Sequence, residues 1–210
     1  MEIKYSQIVE VFGSKLKADE VLYLLVGIKP TLRQLFFSDE LVSVLAFCKR
    51  NGLFVVESPF KIIFSDAEES FSNKGERVQK DDSQEGAVVL YISQDEELAY
   101  RAALAEAQGD HLLLGELLGY PSCCIEYFIK QFSSENPNPE LSLGNGGELP
   151  KGAWVLATQF REKDAALLSH FPCAWNCTES LNIASQRMRF LEETISWRLK
   201  EIQDLCERID

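Results

Sequence analysis

The chain has 210 residues but only two histidines, two methionines and three tryptophans, and no apolar run long enough to cross a bilayer. Its longest apolar stretches, Val21-Leu22-Tyr23-Leu24-Leu25-Val26 and Ala87-Val88-Val89-Leu90-Tyr91-Ile92, fall far short of the roughly 20 residues a spanning helix needs. Membrane partners are therefore set aside. The opening Met1-Glu2-Ile3-Lys4-Tyr5 leads into mixed polar residues rather than an apolar export core, so the expected location is the reducing cytoplasm. Positive charge is also short. Lys and Arg number 21 against 33 Asp and Glu, a formal net charge of -12, which disfavours nucleic-acid partners and anionic surfaces. There are no internal repeats, and Gly115-Glu116-Leu117-Leu118-Gly119 has the wrong spacing for either nucleotide-binding fingerprint.

What is present is enough to build a core, since 46% of the residues are hydrophobic. The pattern predicts an α+β protein, a small mixed α/β N-terminal part followed by a mainly helical C-terminal part with a long terminal helix. The division is expected near residues 94 and 95, giving a mixed region over 1–94 and a helical cysteine-containing region over 95–210. Ser38 reads as the cap of a helix that opens on Asp39 and Glu40, carries Leu41, Val44, Leu45 and Cys48 on one face, and stops at Asn51-Gly52. Phe54–Val56 and Phe60–Phe64 read as two strands with Ser58-Pro59 turning between them. The acidic, polar stretch 66–85 reads as a solvated loop. Ala87–Ile92 reads as a buried strand, because its apolarity is continuous rather than alternating. A helix follows from Asp95-Glu96-Glu97 to Gln108, where Gly109 stops it.

From Leu112 onward the sequence is expected to be predominantly helical, with a loop over 136–150, which is rich in proline and glycine, and with Cys173 in either a helical turn or a tight loop. Leu181, Ala184, Met188, Leu191, Ile195, Leu199, Ile202 and Leu205 keep three- and four-residue spacing, the apolar stripe of a long helix. Such a stripe fits the body of the protein, a second copy (a homo-oligomer) or another protein partner.

Six cysteines in a reducing compartment are read first as thiols or metal ligands. Four of them sit in two short segments, Gly119-Tyr120-Pro121-Ser122-Cys123-Cys124 and His170-Phe171-Pro172-Cys173-Ala174-Trp175-Asn176-Cys177. Each segment places a proline before its cysteines and then helix-compatible sequence. With Pro121 at the first helical position, Cys123 and Cys124 fall at the positive end of a helix, where thiolate is favoured. Cys177 precedes Thr178, the expected cap of the terminal helix. The two segments are expected to meet, with Cys123, Cys124, Cys173, Cys177 and His170 as candidate metal ligands. Adjacent cysteines point in different directions, which suits an iron–sulfur cluster better than a single zinc ion, and both cofactors stay open. Two other readings of the same residues stand beside this one: dithiol/disulfide chemistry, and four small buried hydrophobes. Candidate catalytic groups are Cys123, Cys124, His170 and Glu116, with His111 and Glu126 as further polar neighbours in sequence. Cys48 and Cys206 read as packing residues.

The run Leu118-Gly119-Tyr120-Pro121-x-Cys123-Cys124, then Phe128, His170-x-Pro172-Cys173-x3-Cys177 and Ser180, resembles a prokaryotic family known as domain of unknown function 483. The resemblance spans about residues 112 to 190. It implies matching roles for the cysteines and the histidine and carries no activity with it. The expectation is thus a protein that binds a metal ion or an iron–sulfur cluster. The alternatives are a metal-free thiol enzyme or redox protein, and a non-enzymatic partner-binding module.

Overall fold

A computed structural model describes residues 4–64, 74–143 and 149–207, and its contacts divide the chain into two compact units, Met1–Gly119 and Tyr120–Asp210. The N-terminal region is mixed α/β and the C-terminal region mainly helical, as the pattern predicts.

The first unit is built on a four-stranded antiparallel sheet. Its strands are β1 (Thr31–Phe36), β2 (Phe54–Phe64), β3 (Gly75–Gln79) and β4 (Ala87–Ser93), in the order β1-β4-β2-β3. One sheet face offers Leu32, Phe36, Val88, Leu90 and Ile92. These pack with Ile8 and Phe12 of α1 (Tyr5–Phe12), Val21 and Leu24 of α2 (Lys15–Leu25), and Val44, Phe47 and Cys48 of α3 (Ser38–Arg50). The other face meets α4 (Glu96–Gln108), which buries the small side chains Ala99, Ala102, Ala103 and Ala105 and so lies close to the strands. Covered on both sides, β4 is buried along its whole length, the physical reason its sequence does not alternate. A short α5 (His111–Leu117) packs on α4. Because α4 belongs to the sheet, the compact unit closes after Gly119, later than the 94/95 division read from the sequence.

The structure differs from the sequence pattern at three places in this unit. The segment Phe54–Phe64 is one strand, not two. Ser58 and Pro59 form an irregularity within β2, where the pairing shifts between Glu57 opposite Leu90 and Lys61 opposite Val88. The buried Ser58 hydroxyl stands in for a backbone partner there, accepting from Val89 N–H at 3.0 Å and donating to Phe60 C=O. Second, α3 is capped by Phe37, whose N–H donates to the Glu40 carboxylate at 2.7 Å, while Ser38 is already helical. Third, part of the polar 66–85 stretch is strand β3, paired with Phe60–Phe64; residues 66–73 lie outside the described residues.

The second unit contains α6 (Ser122–Gln131), α7 (Thr178–Thr194) and α8 (Ser196–Glu207). The long terminal helical segment is interrupted once, at Ile195 (φ -143°, ψ 58°). Most of its apolar stripe faces inward: Ala184, Leu191, Ile195, Leu199 and Ile202 are buried, Met188 and Leu205 are half-buried, and Leu181 is exposed. Residues 151–177, expected to be predominantly helical, hold only short 3-10 helices, three residues over Ala153–Val155 and six over Thr158–Lys163, joined by irregular chain. Irregular backbone needs partners for its polar groups. Here Arg187 Nη1 donates to Leu167 C=O at 2.6 Å, Arg198 Nη2 donates to Asp164 C=O, and the buried Glu140 carboxylate accepts from Thr158 N–H at 2.8 Å.

Candidate metal centre

The site begins with a helix start. Pro121 is extended (φ -62°, ψ 136°) and is the capping residue of α6, one position earlier than expected; its carbonyl accepts from Cys124 and Ile125 N–H at 2.9 and 3.0 Å. Cys123 and Cys124 therefore lie in the first turn. The helix is fixed by buried Ile125 and by Phe128, which stacks on Phe171 with ring centroids 6.1 Å apart and planes within 4°. That stack brings the segment carrying His170 and Cys173 against α6.

The second helix start is Cys177, which caps α7 itself and places Thr178 in the first helical position. Its carbonyl accepts from Leu181 N–H, and its own N–H closes a turn onto Ala174 C=O at 3.1 Å, folding Cys173 back toward it. The outcome is a group of four sulfurs, Cys123, Cys124, Cys173 and Cys177, all within 4.8 Å of one another. Cys123 and Cys124 Sγ are 3.9 Å apart, and each lies 3.7 Å from Cys177 Sγ. Neighbouring cysteines thus do converge. At the open end of a helix both side chains can swing toward the axis, which the expectation of divergent directions did not allow for.

Burial is uneven across the group: Cys124 and Cys177 are buried, Cys173 is half-buried and Cys123 is exposed. Burial would raise the Cys177 thiol, but the nearby Ser180 hydroxyl and amide, helped by Cys173 and Cys123, outweigh it and bring the group down to about 7. Burial, reinforced by its neighbouring thiols, pushes Cys173 up to about 12. Cys124 is also raised, by burial first and by the charges of Cys177 and Cys173, against an opposing hydrogen bond from Ser180. Four negative sulfurs this close repel, so without a cation the group holds protons. A bound cation displaces them and makes the full set of thiolates tenable. The positive ends of α6 and α7, both directed at the sulfurs, act in the same sense.

His170 is not among the converging ligand atoms. It is buried, and its Nε2 lies 2.9 Å from Ser180 Oγ, which is itself 3.2 Å from Cys124 Sγ. Tyr120 packs over the imidazole with ring centroids 5.2 Å apart. Ser180 was visible in the sequence only as part of the family resemblance. Its spacing three residues after Cys177 on one helix is the signal that places it over the site.

The other candidates sit elsewhere. Glu116 is exposed on α5, in the first unit, where His111 is also exposed as the first residue of the same helix. Glu126 is exposed on α6, 3.7 Å from Lys130 Nζ. Cys48 and Cys206 are fully buried among packing residues. Among the described residues no helix is long and apolar enough to cross a membrane. Comparison of the chain with protein-family models, curated proteins and solved structures finds no match.

Proposed function

We propose that the chain binds a single Zn2+ ion in a tetrathiolate centre made by Cys123, Cys124, Cys173 and Cys177, and that the ion holds the second unit together. The separation of the sulfurs carries this reading. A tetrahedral ion with metal–sulfur bonds of about 2.3 Å requires sulfurs about 3.8 Å apart; the pairs among Cys123, Cys124 and Cys177 measure 3.7, 3.7 and 3.9 Å, and Cys173 Sγ lies within 4.8 Å of each. An iron–sulfur cluster hangs its cysteines on different irons and spreads them further than one ion does. Four cysteine ligands leave no open position for water or substrate, which supports a structural rather than a hydrolytic metal. The resemblance to domain of unknown function 483 belongs to the same proposal, since the two segments that carry it are the two that supply the ligands.

The test is metal analysis of protein expressed with zinc and iron supplied and purified without oxygen, combined with X-ray absorption at the metal edge. One zinc per chain with four sulfurs at about 2.3 Å is the expected result. Several irons with acid-labile sulfide would overturn the choice of metal, and metal-free protein would overturn the site.

A thiol-exchange reading is favoured by one observation: the exposed Cys123 lies 3.7 Å from Cys177, the most acidic of the shifted thiols. It predicts that Cys177 alkylates quickly near neutral pH in freshly purified protein without a chelator. Protection that disappears only on chelation supports the zinc centre instead.

A further inference from the structure

The hydrogen-bond chain from Cys124 through Ser180 to His170 has a direction that the structure alone leaves open and a bound metal would fix. Resting on the tetrathiolate reading above, we propose that Ser180 is a positioning residue for the metal thiolate. Its hydroxyl donates to Cys124 Sγ, and its oxygen in turn accepts from His170 Nε2–H.

The number of protons available to the three residues sets the direction. A metal-bound cysteine sulfur carries none and can only accept. Ser180 Oγ has one proton and three neighbours, Cys124 Sγ at 3.2 Å, His170 Nε2 at 2.9 Å and the Cys177 thiol, which the Ser180 amide also reaches. With the thiolate accepting, that single proton points at sulfur. The remaining contact then requires the imidazole to be the donor, so Nε2 carries hydrogen. The reverse arrangement, with serine donating to histidine, leaves Cys177 with the Ser180 amide but gives the buried Cys124 sulfur no proton from Ser180.

The surroundings hold the chain in place. Ser180 is fully buried and His170 nearly so, and Tyr120 packs on the imidazole. Ser180 also sits on the helix that Cys177 caps, whereas Cys124 comes from α6. One hydroxyl therefore ties the ligand of one helix to the frame of the other. Groups that orient a metal ligand in this way typically contribute 10- to 100-fold in affinity.

The chain holds only two histidines, His111 and His170, so a nitrogen spectrum of histidine-labelled, zinc-loaded protein has four ring signals to assign, with His111→Asn as the assignment control. A protonated Nε2 on His170 is the expected result, and an unprotonated Nε2 overturns the proposal without any variant at the site. In parallel, cobalt-substituted wild type and Ser180→Ala are compared by absorption. The expected outcome is a shifted sulfur-to-cobalt charge-transfer band and cobalt affinity reduced roughly 10- to 100-fold in the variant. Unchanged band and affinity overturn the role of Ser180 while leaving the metal site standing. A wild type that gives no tetrathiolate cobalt spectrum removes the metal reading itself, and this proposal with it.

Discussion

The two units are held together in opposite ways. In the first, a continuous ladder of strand pairs satisfies the backbone, apolar side chains fill one sheet face, and α4 covers the other. In the second, most of the chain between α6 and α7 has no regular ladder. Its carbonyls and amides are met one at a time by Arg187, Arg198, Glu140, Tyr127 and Trp175. Regular structure spreads stability over many equivalent bonds; irregular structure concentrates it in a few side chains and, on our reading, in one ion. The second unit should therefore be the one that single changes dismantle.

The sharpest test of that contrast is chelation. Removing zinc should destabilise the second unit by several kcal/mol, because binding free energy is folding free energy where ligands come from distant segments. Hydrogen exchange should show residues 120–207 losing protection while β1, β2 and β4 keep theirs. Cys124→Ser and Cys177→Ser should give the same pattern with zinc present. Equal loss in both units would erase the distinction.

A smaller effect is expected where the first unit does depend on one polar cluster. Glu106 is buried on α4; Arg33 grips both its oxygens at 2.5 and 2.7 Å, Tyr91 donates at 2.7 Å, and Arg77 lies 3.2 Å away. Glu106→Gln should cost about 2–4 kcal/mol in urea unfolding, short of the loss for a fully buried pair because both arginines are partly exposed. The same cluster sets an acid limit. Burial alone would raise this carboxyl, but Arg33, with Tyr91 and Arg77, holds it below the ordinary value. A lowered folded-state value means its contribution is complete above about pH 4.3. It is lost as pH falls through the folded value, so an acid titration of the first unit should lose that slope in the Glu106→Gln variant.

Next comes Arg187→Met, which leaves Leu167 C=O without its buried donor. A loss of about 1–3 kcal/mol is expected, confined to the second unit by hydrogen exchange. Smallest is Gly109→Ala. Gly109 ends α4 with φ 74° and open space around its Cα, so only backbone strain opposes a side chain. About 1 kcal/mol is expected, and a much larger loss would mean that the packing here is tighter than described.

The legibility of each unit follows from the same contrast. β4 announces itself by its continuous apolarity, and α3 and α4 by apolar spacing and stop signals that agree locally, although the α3 cap lies one residue earlier than read. The Cys123, Cys124, Cys173 and Cys177 group was legible for a similar reason: proline, cysteine and helix start recur in two places. Residues 151–177 misled because their apolar content, such as Ala165, Ala166, Leu167 and Leu168, is buried without being helical. Arg187 and Arg198 fall at three- and four-residue spacing from Ala184 and Leu191 and from Ile195 and Ile202, on the buried side of the helices, but nothing in a one-dimensional pattern shows that they will hold the carbonyls of Leu167 and Asp164. The place of His170 was equally hidden. Its separation from the sulfurs by one serine is a fact of three dimensions.

The irregularity at Ser58-Pro59 has a consequence for insertions and deletions. Between Glu57 and Lys61 the strand β2 advances four residues while β4 advances two, from Leu90 to Val88. Both steps are even, so side chains before and after the irregularity keep the same sides of the sheet. Deleting one residue there changes the parity, and every side chain from Lys61 to Phe64 is sent to the opposite face. Deleting two preserves it and removes only the excursion. Tolerance to length change at this point should thus alternate with odd and even, a rule no count of lost contacts would give.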